Sequence, residues 1–296
     1  MTKSNINRIL ILLTVALVSG LIACTPKAIP PFSQPAKVAV VLGAGAVKGF
    51  AHVGVLKVLE SQHIPVHMVV GTSVGSLVGS LYAYGYDAYT LQTLALTMER
   101  DELIDLTIPD NGFVKGEKLE NYINRMVRNT PIEKFRIPFH AVATNIQTGE
   151  EMVFGTGNAG MAVRASCSIP GVFKPAKISG KTYVDGGLVN PVATDVARRY
   201  GADVVIAVDI SASRDITVPE GTIDTILKSI DIMYAKISQL QIPRADVVIK
   251  PDVGHIGSSD FTKKHEAILE GEKAALAAMP AIQAVLSRLR QEGRIP

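Results

Sequence analysis

The sequence predicts an α/β fold built on a mostly parallel central sheet, and three features carry that prediction. Strand-like and helix-like runs alternate along the chain, the pattern of a parallel sheet covered by helices. The first run, Val38 to Leu42, is apolar at every position, as suits a strand buried on both faces. After the second short strand, Val74, Leu77, Val78, Leu81 and Tyr82 recur at i, i+3, i+4, i+7 and i+8. They form one apolar face of a helix, which Gly85 ends.

The remaining elements follow in order. A helix is expected over about 49–62 and a short strand over 67–70. Further strands are expected at 139–145, 152–154, 204–209 and 247–250. Further helices are expected near 117–128, 193–200, 223–239 and 263–278. The charged stretch 99–105 reads as a solvated helix face. The wider segment 99–118, which carries Pro109-Asp110-Asn111-Gly112 and no clear period, is expected to cap a pocket.

With 47% hydrophobic and 19% charged residues, the 296-residue chain can bury one large core and is too apolar for a disordered protein. Trp is absent and aromatics are 5%, which argues against stacking platforms for nucleic acid. The formal net charge is +3; without Lys3 and Arg8, in a segment expected to be removed, it is +1. A near-neutral body gives no electrostatic case for DNA or RNA.

Lys3 and Arg8 form a short basic start, and residues 9–23 are apolar or small with no charge. That run is short for a membrane span, which needs about 20 apolar residues, and reads as a secretion signal. It ends in Leu21-Ile22-Ala23-Cys24, which resembles a bacterial lipobox. The resemblance implies cleavage before Cys24 and diacylglycerol on its thiol; an ordinary signal peptide with a chance Cys is the alternative. Cys24 and Cys167 are the two cysteines, so an acylated Cys24 leaves Cys167 without a disulfide partner. Pro26, Pro30, Pro31 and Pro35 make 24–36 a stiff tether.

Three motifs carry chemistry. Gly71-Thr72-Ser73-Val74-Gly75 is the one G-x-S-x-G in the chain. It lies between a strand and an amphipathic helix, the setting of a nucleophile elbow, where the positive helix end favours developing anions. The alternative is a small-residue turn in which Ser73 caps the helix. Gly43-Ala44-Gly45-Ala46-Val47-Lys48-Gly49 follows the first strand. It fails the dinucleotide fingerprint, since Lys48 stands where a third small residue is needed and Val70-Gly71 replaces the acid. It also fails the phosphate-loop pattern of Gly-Lys-Ser/Thr. It reads as an oxyanion cradle, or else as a plain tight turn. Asp185-Gly186-Gly187 follows a strand-like run; it is either a turn or the source of the base that Ser73 needs.

Together the three motifs resemble those of the patatin-like phospholipases, in the bacterial branch related to neuropathy target esterase. A fourth block, Ala165-Ser166-Cys167-Ser168-Ile169-Pro170-Gly171-Val172-Phe173-Lys174-Pro175, joins them, and the likeness runs over about 38–209. The resemblance implies a three-layer α/β/α sandwich and a Ser73–Asp185 dyad with no His. It implies an oxyanion hole from Gly43, Gly45, Ala46, Lys48 and Gly49, with Lys48 ordering the loop. Gly71, Gly75, Gly186 and Gly187 would shape the elbow and the turn. Ala44 and Ala46 depart from the family's more Gly-rich loop. Their N–H groups stay accessible unless φ is positive, where Ala is unfavourable.

On this reading, 1–23 is a signal peptide, 24–36 a tether and 37–296 the hydrolase domain, with a motif core at 38–209 and a C-terminal helical extension at 210–296. The expected activity is hydrolysis of phospholipid, lysophospholipid or simpler acyl esters, with no metal or other cofactor. The expected partners are a membrane lipid substrate and the membrane that holds the anchor, with no nucleic acid. The expected place is the cell envelope, facing the periplasm; by resemblance to Gram-negative lipoprotein sorting, Thr25 in place of Asp after Cys24 implies the outer membrane rather than the inner. The rival from another class is a non-catalytic envelope lipoprotein that binds acyl chains or acts as a scaffold.

Other acids and histidines offer alternatives. A Ser–Asp–His order is available through His255 or His265, but no His-Gly-Gly loop accompanies it. His52 reads as helix packing. His63 and His67 have i, i+4 spacing, but Pro65 between them disfavours the helix that would align them on a metal. Asp209, at the end of an apolar strand, is the second candidate acid.

Overall fold

β1 (Val38–Leu42) lies inside an eight-stranded sheet with β2 (Met68–Thr72), β3 (Phe139–Asn145), β4 (Glu151–Phe154), β5 (Ala176–Ile178), β6 (Lys181–Asp185), β7 (Val204–Val208) and β8 (Val247–Ile249). The computed structural model describes residues 34–108, 112–212 and 218–295. The expected signal segment, Cys24, the rest of the expected tether to residue 33, and residues 109–111 lie outside them. The strand order is β5-β6-β3-β2-β1-β7-β8, with β4 paired to β3. β1, β2, β3, β7 and β8 run parallel; β4 and β6 are antiparallel to β3, and β5 to β6.

The helices are α1 (Phe50–Ser61), α2 (Val74–Tyr84), α3 (Ala88–Thr97), α4 (Arg100–Leu103), α5 (Glu117–Met126), α6 (Ala159–Ser166), α7 (Thr194–Arg199), α8 (Thr222–Gln241) and α9 (Lys264–Gln291). They cover both faces of the sheet, because β1 has no polar face to leave open. Val38, Val40 and Leu42 join a core with Leu56 and Leu59 of α1, Val78 and Leu81 of α2, and Ile268 and Leu286 of α9. Ala39 and Val41 point the other way, to Val196 and Ala197 of α7. Burying a side chain of Val or Leu size contributes roughly 1.5–3 kcal/mol, so these two cores hold the three layers together.

β1 and β3 span the residues the sequence pattern indicates. β2 runs to Thr72, two residues past the expected end, because Gly71 still pairs with Leu42 and Ala141; the turn begins at Ser73. α3 and α6 are additions to the sequence expectation. α9 continues to Gln291 although Pro280 lies inside it. Proline deprives the carbonyl four residues earlier of its donor. That carbonyl belongs to exposed Leu276, where solvent can serve it. Residues 210–296 supply both the edge strand β8 and α9. α9 lies tight along α1: a Cβ at Gly54 would sit 1.9 Å from the Ile268 carbonyl oxygen, and one at Gly271 2.0 Å from that of Ala51.

One feature of β3 positions the site. β2 pairs with its first half, Thr72 opposite Val142, and β6 with its second half, Asp185 opposite Ala143. Backbone groups alternate sides along a strand. Pro138 accepts from Val69 and Ile146 donates to Thr182, whereas Asn145 donates to Glu150 of the β4 hairpin. Even-numbered positions therefore face both β2 and β6. These two strands share one edge of β3, run toward each other and stop one residue apart.

Candidate active site

Ser73 follows β2 directly and caps the N-terminus of α2 with φ 54° and ψ −128°. Such a backbone costs of order 1–3 kcal/mol for a non-glycine residue and persists only where neighbours fix it. Here the Ser73 N–H donates to Ser166 Oγ at 2.9 Å, and Ser166 Oγ donates to the Val142 carbonyl at 2.6 Å. The Ser73 carbonyl accepts from both the N–H and the Oγ of Ser76, each at 2.7 Å. The turn has no room for side chains at its flanks: a Cβ on Gly71 would lie 2.5 Å from the Gly75 carbonyl oxygen, and one on Gly75 2.0 Å from that of Leu42.

Asp185 closes β6. Its N–H donates to the Ser168 carbonyl at 2.9 Å, and its carbonyl accepts from Thr144 Oγ1 at 2.9 Å. The carboxylate is fully buried. Ser73 Oγ donates to Oδ2 at 2.5 Å, and the Gly187 N–H donates to Oδ1 at 2.8 Å. Burial pushes the Asp185 pKa up to about 6 against the pull of those two donors. Gly186 packs on β3, where a Cβ would lie 2.1 Å from the Val142 carbonyl oxygen.

The loop after β1 divides into anchored and open parts. Gly43 N–H donates to the Val208 carbonyl at 3.0 Å and Ala44 N–H to that of Pro191 at 2.9 Å. His52 Nε2 lies 2.8 Å from the Gly43 carbonyl, which only accepts, so the proton sits on Nε2. Burial lowers the His52 pKa to about 4, and the ring stays neutral. By contrast, the N–H groups of Gly45 and Ala46 have no protein acceptor among the described residues. Ala46 has φ 49°, the left-handed region that disfavours Ala. Gly49 packs against the elbow: a Cβ there would lie 2.2 Å from Val74 Cγ2.

Lys48 does not line the cavity that holds Ser73. It is 1% exposed, and its Nζ lies 3.0 Å from Asp231 Oδ2 on α8. Ser258 Oγ donates to the same oxygen at 2.6 Å, and its carbonyl accepts from the Val47 N–H at 3.4 Å. The loop is thus tied to two C-terminal segments through a buried ion pair.

Ser73, Ala46 and Gly49 share the wall of a cavity of about 250 Å³. Phe50, Leu77, Leu94, Phe113, Phe173 and Leu227 supply much of the rest, and Arg100 is the one charged side chain in it among the described residues. The segment after α3 contributes Arg100, Leu103, Ile104, Leu106, Phe113 and Val114 to that wall. It is held there by the N–H groups of Phe113 and Val114, which donate to the Val172 carbonyl, each at 2.9 Å. α4 itself buries no residue.

The other candidates lie apart from Ser73. Asp209 Oδ1 accepts from Ser211 N–H at 3.0 Å and Ser211 Oγ at 2.6 Å. His255 is exposed and pairs with Glu266 at 2.5 Å, and His265 is exposed. His67 Nδ1 accepts from the Val38 N–H at 3.1 Å. Among the described residues no three His, Cys, Asp or Glu side chains cluster to hold a metal. Ser166, Asp231 and Tyr234 also form part of the site, although no sequence motif marks their roles. Ser166 lies in the 165–175 block, whereas Asp231 and Tyr234 sit in a helix with no motif around them.

The patatin-like phospholipase family model matches residues 40–198, a span that holds the loop, the elbow and Asp185. The chain is 31% identical over 293 residues to lysophospholipase NTE1 of Coccidioides immitis, covering 88% of this chain and 18% of the fungal protein. It is 34% identical over 229 residues to patatin-like phospholipase domain-containing protein 6 of Homo sapiens, covering 75% of this chain and 16% of the human protein. It therefore spans less than a fifth of either relative. Among solved structures, VipD from Legionella pneumophila has a similar fold, with a TM-score of 0.59 at 12% identity over 85% of this chain and 67% of that one. The four motif blocks, the sheet that carries them and the family match over residues 40–198 place this chain in the patatin-like phospholipase family.

Proposed function

We propose that the protein hydrolyses lipid acyl esters with Ser73 as nucleophile and Asp185 as its base. The observation that carries this reading is the 2.5 Å hydrogen bond from Ser73 Oγ to a fully buried carboxylate beside an apolar cavity. An aspartate with an ordinary pKa near 3.9 is a weak base for a hydroxyl. With its pKa raised to about 6, Asp185 is a better acceptor and is still ionised at neutral pH.

The chemistry then proceeds in two halves. Ser73 Oγ attacks the acyl carbonyl carbon while its proton passes to Asp185 Oδ2. The carbonyl oxygen becomes an oxyanion, held by the open N–H groups of Gly45 and Ala46. Collapse breaks the bond to the alcohol oxygen, which leaves with the proton from Asp185. Water next gives a proton to Asp185 and attacks the acyl carbon. The second collapse frees the fatty acid and returns the proton to Ser73. The apolar wall suits an acyl chain, and Arg100 suits a phosphate-bearing head group near it.

A fluorophosphonate probe tests the reading against a non-catalytic acyl-binding protein. Covalent labelling of Ser73, abolished in Ser73→Ala, is expected; a well-folded wild-type protein that takes no label contradicts it.

We further propose an envelope lipoprotein, tethered through Cys24 and facing the periplasm at the outer membrane. The Leu21-Ile22-Ala23-Cys24 sequence and Thr25 support this. Among the described residues no helix is long and apolar enough to cross a membrane. Mass spectrometry of the mature N-terminus should find a diacylated Cys24, and Cys24→Ser should be uncleaved or lost from the outer-membrane fraction. An unmodified, soluble mature chain contradicts the anchor, and a modified chain in the inner membrane contradicts the destination.

A further inference from the structure

Tyr234 projects from α8 into the space between the two halves of the site. It is 2% exposed, and its ring packs with Ala44 of the loop after β1 and with Ile169 and Ile230. A Cβ at Gly187 would lie 2.3 Å from the ring and 2.7 Å from the hydroxyl oxygen. Gly187 is the residue whose N–H is bonded to Asp185 Oδ1. The hydroxyl therefore lies beside that carboxylate, near enough to draw the Asp185 pKa down, yet it closes no hydrogen bond of ordinary length in the resting geometry. A buried hydroxyl without a partner costs roughly 1–3 kcal/mol, and a Phe would fill the same space without that cost.

Resting on the reading of Asp185 as base, we infer that the Tyr234 hydroxyl becomes a hydrogen-bond donor to the Asp185 carboxylate once Ser73 is acylated, and so is a positioning residue for the second half of the reaction. In the resting enzyme Asp185 has two donors, Ser73 Oγ and the Gly187 N–H. In the acyl-enzyme Ser73 Oγ is esterified and carries no proton, and Asp185 has given its proton to the leaving alcohol. A buried anion is left with the Gly187 N–H and the incoming water. Tyr234 is the nearby protein donor still uncommitted, and a small rotation brings its O–H onto the carboxylate. It then fixes the carboxylate that must receive the proton of the water.

The surrounding charges are compatible with this role. From just beyond hydrogen-bond length Tyr234 already pulls the Asp185 pKa down at rest, and a closed bond would strengthen that pull; burial together with Asp185 holds the phenol protonated by pushing its own pKa well up. Cys167, at the end of α6, also faces Asp185; burial pushes its thiol pKa well up, so it stays neutral. Asp231, one turn before Tyr234 on α8, is ion-paired with Lys48.

The test is the pH dependence of Tyr234→Phe on a p-nitrophenyl acyl ester, whose good leaving group makes deacylation the slow step. The ring packing is preserved, and thermal melting should show a fold at least as stable as wild type. The acid limb of kcat should move to higher pH by at least about half a unit, because a donor to the anion is lost. It should move further than the limb of kcat/KM, which reports the free enzyme in which Ser73 is still a donor. Unmoved limbs, or a fall in kcat that is uniform across pH, overturn the role of Tyr234 while leaving Asp185 in place. Normal turnover by Asp185→Asn overturns the base assignment and the Tyr234 inference together.

Discussion

Ser73 and Asp185 meet because the strands that carry them run toward each other along one edge of β3. Thr72 is opposite Val142 and Asp185 is opposite Ala143, so the end of β2 abuts the end of β6. Ser166 and Ser168 thread through the junction, accepting the N–H groups of Ser73 and Asp185 respectively. The contact between the two side chains is thus set by sheet register, which a one-residue slip would destroy.

The buried carboxylate makes stability depend on pH. The folded pKa of Asp185, about 6, lies above its ordinary value of 3.8. Between these values the native state holds a proton that the unfolded chain releases, so this group's contribution to stability is lost as pH rises from about 4 to 6. Asp185→Asn should therefore be more stable than wild type at pH 8, by roughly 1–3 kcal/mol. The difference should vanish below about pH 4. Thermal or urea melts at the two pH values measure it; equal stability at pH 8 would mean the carboxylate is better solvated than its burial implies.

Ala46 should be improvable. Its φ of 49° is natural for Gly and strained for Ala. Ala46→Gly is expected to gain about 1 kcal/mol in relief of strain, less the entropy that Gly adds to the unfolded chain, and to keep the two open N–H groups in place. Denaturant unfolding and an esterase assay check both halves. A clear loss of stability would show that the loop does not hold this backbone in solution.

The ion pair behind the loop should behave as a unit. Lys48→Met leaves the Asp231 carboxylate beside the cavity wall without its cation, and breaking such a pair costs about 3–5 kcal/mol. Lys48→Met with Asp231→Leu should recover most of that loss, as chemical denaturation of the three variants would show. Additive losses would mean that the two side chains act separately.

Arg100 should sort substrates by head group. It has no ion-pair partner among the described residues and is the charged group in an otherwise apolar wall. Arg100→Ala is expected to raise KM about 10-fold for a lysophospholipid, the equivalent of a hydrogen bond to a charged group. It should leave a neutral p-nitrophenyl ester nearly unaffected. Equal effects on both substrates would assign Arg100 to packing instead.

Much of this was legible in the sequence because it depends on short-range pattern. The apolar run of β1, the period of α2 and the spacing of small residues around Ser73 are local signals with local causes. The expected strand ended too early at residue 70 because Gly71 and Thr72 look like turn residues, although both still pair with β3. The helix expected near 263–278 runs on as α9 through Pro280 to Gln291, and the exposure of Leu276 shows why the proline is tolerated there. Asp231 and Tyr234 were invisible for a different reason. They are single polar residues in an amphipathic helix, and their partners Lys48 and Asp185 lie far away in sequence. Ser166 belongs to the 165–175 block, but its bond to the Ser73 N–H comes only from α6 lying against β3.

The proposed action of Ser73 and Asp185 as one catalytic unit is tested most directly by steady-state hydrolysis of a p-nitrophenyl acyl ester by purified, folded variants. Ser73→Ala and Asp185→Asn should each lose at least about 10²–10⁴-fold in kcat. The double variant should be little worse than either, because removing one member already disables the other. His255→Ala and His265→Ala should stay near wild type. Near-normal turnover in Asp185→Asn would remove Asp185 as the base, and near-normal turnover in Ser73→Ala would contradict the serine-hydrolase account itself.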